Sequence, residues 1–132
     1  MAATDLGALF TRLRSILQQH AGQFCVGDDT ASCYCLEASP GHAPLRAWSG
    51  QVKRSKLPVA WIQFSKTNVS FHLMALDGCQ PLLDGLSKEL RARLHGKTCF
   101  TFRRVDERLF LELEKVTADV ISASREAGFI AE

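Results

Sequence analysis

Residues 58–76 read PVAWIQFSKTNVSFHLMAL, and they decide the fold. Val59, Trp61, Ile62 and Phe64 are the β-branched and aromatic side chains that suit a pleated surface. Lys66, Thr67 and Asn68 make a short polar turn. Beyond it, Val69, Phe71, Leu73 and Ala75 alternate with Ser70, His72, Met74 and Leu76. A period of two with one wholly apolar register is a strand with one buried face. The stretch therefore predicts a β-hairpin, and the rest of the chain has to cover its apolar side.

The cover is legible on both flanks. Leu6, Leu9, Phe10, Leu13, Ile16 and Leu17 recur at helical spacing, which predicts an amphipathic helix over 5–21 capped by Thr4 or Asp5 and ended by Gly22. Near the other end, Asp106 is placed to cap a helix over 107–126 with Leu109, Phe110, Leu113, Val116, Val120 and Ile121 facing inward. Its outer face carries Arg108, Glu112, Lys115 and Asp119, alternating in sign at ion-pair spacing.

Between the first helix and the hairpin the pattern is weaker. Val26 to Asp29 reads as a turn, and Ser32 to Ala38 as an edge strand with Tyr34 and Leu36 on one face and Cys33, Cys35 and Glu37 on the other. Two prolines and a glycine make 39–44 a loop. Arg46 to Lys53 reads as a strand holding Trp48 and Val52, with a bulge or a close backbone approach at Gly50. After the hairpin, 81–86 forms a short helical turn, Ser87 caps a helix over 88–95, and Lys97 to Arg103 returns as a strand with Phe100 and Phe102 on one face.

Terminal helices around meandering antiparallel strands predict an α+β two-layer sandwich, its sheet covered on one face, as a single domain over 1–132. With 46% hydrophobic and 23% charged residues the composition is that of a globular chain. A net charge of +2 and the isolated pairs Lys53-Arg54 and Arg103-Arg104 lack the footprint of a nucleic-acid binder. No apolar run reaches the roughly 18 residues of a membrane span. The start, MAATDLGALF, has no basic-then-apolar signal, so a cytoplasmic location is expected. Five irregularly spaced cysteines then read as buried thiols rather than a disulfide framework.

Chemistry-bearing motifs are few. Cys33 and Cys35 lack the spacing and the second pair of a zinc site, and His20, His42, His72 and His95 are scattered, so no metal or cofactor is expected. Gly96-Lys97-Thr98 matches the tail of a phosphate-binding loop, but position 91 is Arg where the leading glycine belongs. Cys99 shares its strand with Phe100 and Phe102, and an apolar setting raises a thiol's pKa, while a base such as His72 would have to come from across the sheet. No catalytic residue is assigned.

The remaining candidate is the sheet face turned from the helices. If Val69, Phe71 and Leu73 point at the helices, then Ser70, His72 and Met74 point away, joined by Gln63 and by Trp61 as an anchor. That mixture suits a small ligand or a protein partner, because indole joins apolar area to an N–H donor. The plain alternatives are an ordinary half-exposed sheet face or burial against a second copy in a homodimer.

Residues 68–117 also carry a resemblance. The strand Val69 to Met74, the pair Leu82-Leu83, Ser87 before a basic helix, the Gly96 to Phe102 run and the helix from Asp106 together resemble the C-terminal half of the bacterial YdhG-like family, largely a domain of unknown function. The resemblance implies a frataxin-like α+β sandwich, and one branch of the family is linked to intracellular iron handling. Frataxin-like iron binding uses an acidic ridge on the first helix and the following strand. Here that helix carries Arg12 and Arg14, with Asp28-Asp29 the acidic pair nearby, so iron chaperoning is the alternative and not the first reading.

Overall fold

A computed structural model describes residues 6–39, 41, 57–96 and 98–130. Helix α1 spans Leu6–Gln18, followed by strands β1 (Cys25–Asp29), β2 (Cys33–Ala38), β3 (Leu57–Phe64) and β4 (Val69–Leu73). Short helices α2 (Gln80–Asp84) and α3 (Lys88–Arg91) lead to β5 (Leu94–His95), β6 (Cys99–Phe102) and the long helix α4 (Glu107–Ala127). The six strands form one sheet in the order β1-β2-β3-β4-β6-β5, and every pairing is antiparallel. The expected α+β sandwich is the fold.

The hairpin forms as its sequence dictates. Ser65 N–H donates to the Asn68 carbonyl at 2.9 Å, closing the turn over Lys66 and Thr67. Ile62 then faces Phe71, and Phe64 faces Val69. On β6, Phe100 and Phe102 fall in the same rows, opposite Phe71 and Val69. This face is capped by both long helices. Phe10 of α1 stacks on Phe64 with centroids 4.8 Å apart, and Phe110 of α4 meets Phe102 edge-on at 5.1 Å. The stripes Leu9, Leu13, Ile16, Leu17 and Leu109, Leu113, Val116, Val120 complete a single core. Arg12 ties the helices at the surface, with Nε 3.0 Å from Glu107 and Nη1 3.1 Å from Glu114.

Several boundaries differ from the sequence pattern. The first helix stops at Gln18, and residues 21–23 wind into a 3-10 turn in which Gln23 N–H donates to the His20 carbonyl. Residues 25–29 form not a turn but a strand whose residues are all exposed. It is visible only through its pairing with β2, which makes β2 an interior strand. The real reversal lies at residues 30–32, where the Thr30 hydroxyl accepts from Ser32 and Cys33 N–H. The helix expected over 88–95 ends at Arg91, because Leu94 and His95 pair with Phe100 and Cys99. Gly96 makes that reversal possible with φ +69°. The proposed strand over 46–53 and most of the loop before it lie outside the described residues.

The second hairpin strand is shorter than its alternation suggests. It ends at Leu73, and Met74–Gly78 winds into a 3-10 turn. Three residues per turn replace the two-residue period. Met74, Ala75 and Leu76 are consequently all buried in the core.

Candidate functional site

The face turned from the helices is organised by the same pairing that builds the core. Register places Cys35, Trp61, His72, Cys99 and His95 side by side on β2, β3, β4, β6 and β5. A second row, one pleat along, runs Cys33, Gln63, Ser70 and Thr101. The two rows are an aromatic and thiol track beside a polar one.

Trp61 and His72 are the centre of the first row. Their rings stack with centroids 4.3 Å apart and planes 11° from parallel. Both side chains are partly exposed. His72 Nε2 lies 3.1 Å from Ser70 Oγ and 3.9 Å from Cys99 Sγ. Ser70 Oγ in turn lies 3.4 Å from the Gln63 carbonyl, to which it donates. At the sheet edge His95 Nε2 is 2.7 Å from Thr101 Oγ1.

Burial sets the protonation of the central pair. It lowers the His72 pKa below the ordinary 6.5, since a half-buried imidazole loses hydration when charged. It raises the Cys99 thiol for the same reason. At neutral pH the pair therefore rests as imidazole and thiol.

Four of the five residues singled out from sequence, Trp61, Gln63, Ser70 and His72, stand together on this face. Met74 does not join them, because the strand has ended before it and its side chain is buried with the core. Thr101 and His95 were not expected in the group, and Cys99 was considered only as a thiol for which His72 would have to come from across the sheet. Alternation marked the face of Cys99 and Thr101, but only the placement of β6 beside β4 makes them neighbours of His72 and Ser70.

All five cysteines are free thiols. Cys35 and Cys79 are buried, as expected, whereas Cys25 is exposed and Cys33 and Cys99 are partly so. Cys33 Sγ lies 3.9 Å from Asp28 Oδ2; burial first, and that carboxylate second, raise its pKa. Among the described residues no three His, Cys, Asp or Glu side chains come together to hold a metal ion. No helix among them is long and apolar enough to cross a membrane. Two surface grooves flank the C-terminal half of α4, one bounded by His20, Gln23 and Arg125 and the other by Cys79, Leu82 and Ala123.

Comparison with protein-family models, with curated proteins and with solved structures finds no match.

Proposed function

We propose that the chain is a non-enzymatic, cytoplasmic bacterial binding domain of the YdhG-like kind, which takes a protein or a small ligand on the sheet face turned from its helices. The observation that carries the reading is the partly exposed Trp61–His72 stack, bordered in register by Gln63 and Ser70. An aromatic anchor beside polar groups that can donate and accept is the composition of a binding hot spot. A sheet face offers a broad platform, whereas small molecules are more often enclosed in a cleft. This weights the reading toward a protein partner.

The alternative, an iron chaperone resembling frataxin, draws on less. Asp29 is held by Arg14 at 2.5 Å, so half of the acidic pair is already neutralised. A hard cation needs several carboxylate oxygens together.

The test compares proteins and metabolites of a bacterial cytosol retained by the wild type, by Trp61→Ala and by Leu111→Ala, an exposed change on the helix side. A species kept by the wild type and Leu111→Ala, and weakened about tenfold or more by Trp61→Ala, is the expected result. Equal retention by all three would remove the reading. Calorimetry with ferrous iron and reduced protein addresses the alternative, for which heat at a defined stoichiometry would be required.

A further inference from the structure

We propose that Cys99 is a site of reversible covalent modification by thiol–disulfide exchange, with His72 as the base that takes its proton and a low-molecular-weight disulfide as co-reactant. This stands beside the binding reading and does not need it, because a partner can occupy the face with no bond to sulfur.

The geometry supplies the three parts that make a weak nucleophile usable. The nucleophile is a partly exposed thiol, unlike the buried Cys35 and Cys79. The base is its direct cross-strand neighbour, with Nε2 3.9 Å from Sγ. The orienting group is the Trp61 ring, stacked at 4.3 Å, while Ser70 Oγ, 3.1 Å from Nε2 and donating its own hydrogen to Gln63, accepts from that nitrogen once it carries the thiol's proton. Among the described residues, the other titratable groups in this row are His95, turned to Thr101, and Cys35 beyond Trp61. With thiol and imidazole both uncharged, the proton leaves sulfur during attack and not before it.

The step balances within the two reactants. The S–H bond breaks and its proton passes to Nε2 of the Nδ1–H tautomer. The freed electron pair forms a bond to one sulfur of the disulfide, whose S–S bond breaks. The departing thiolate then takes the proton from the imidazolium. Cys99 is oxidised to a mixed disulfide, half of the co-reactant is reduced to a thiol, and excess thiol reverses the step.

Oxidised glutathione is the probe, with the folded full chain and mass spectrometry of the Cys99 peptide from pH 6.5 to 8. The expected result is a Cys99 adduct whose rate changes by less than about threefold across that range, since the base and not bulk hydroxide removes the proton. The same thiol in the urea-unfolded chain, away from His72, should instead quicken by close to tenfold per pH unit, as an unassisted thiol does. His72→Gln should slow Cys99 at pH 7 by at least about tenfold and restore the steep profile. A folded wild type that leaves Cys99 unmodified, or modifies it with the profile of the unfolded chain, overturns the proposal even if His72→Gln fails to fold. So does a folded His72→Gln variant that reacts like the wild type.

Discussion

Among the described residues, His72 is one of two histidines whose charging the fold opposes. Burial lowers its pKa, and burial together with the nearby Arg125 lowers that of His20. Well above pH 6.5 both imidazoles are neutral in the folded and the unfolded chain, so they contribute no pH dependence there. As the pH falls below 6.5 the unfolded chain takes up protons that the folded chain still refuses, and stability falls until the lower folded pKa values are passed. Urea midpoints measured at pH 7.5 and at stepwise lower pH should decline on acidification. His72→Gln should shrink the decline without abolishing it, because the His20 share remains. An unchanged decline would mean that His72 charges as easily in the fold as out of it.

Elements are set by their ends as much as by their stripes. The Asp106 carboxylate accepts from Leu109 N–H at 3.4 Å and starts α4, while Gly128 ends it at φ +80°. Ser87 caps α3 through Leu90 N–H at 3.1 Å. Glu112 of α4 reaches that same serine, accepting from its N–H at 2.8 Å and its hydroxyl at 2.6 Å. A residue that looks like one member of a solvated charge pattern is thus a tie between two helices, and only Lys115–Asp119 pairs along α4 in the expected way, at 2.9 Å. Thr117 is the reverse case: it is fully buried and its hydroxyl has no hydrogen-bond partner among the described residues. Asp106→Ala should cost about 0.5–1 kcal/mol as a lost cap. Thr117→Val should raise stability by about 1 kcal/mol, because an unpaired hydroxyl leaves the core and the shape is kept. Chemical denaturation of the two variants should move the midpoint in opposite directions.

The whole molecule is one core under one sheet face. Phe71 and Phe100 are fully buried and face each other across β4 and β6. Phe100→Ala should cost about 3–5 kcal/mol, enough to unfold a domain of ordinary stability at 37 °C. Arg12→Ala should cost less than about 1 kcal/mol, because its ion pairs are near the surface and screened. Unfolding both variants by urea tests whether packing or the inter-helix ion pairs hold the sandwich together.

Residues 58–76, the two helical stripes and the caps at Ser87 and Asp106 were legible in the sequence because each depends on neighbours a few positions away. Alternation alone put Ser70 and His72 on one face and Phe71 on the other. Strand order is another matter, since it depends on which edges meet when the helices close over the hydrophobic side. That choice turned residues 25–29 and Leu94-His95 into strands, withdrew Met74 into the core and set Cys99 against His72. A chain position carries its own periodicity, but not the identity of the strand that folding brings alongside it.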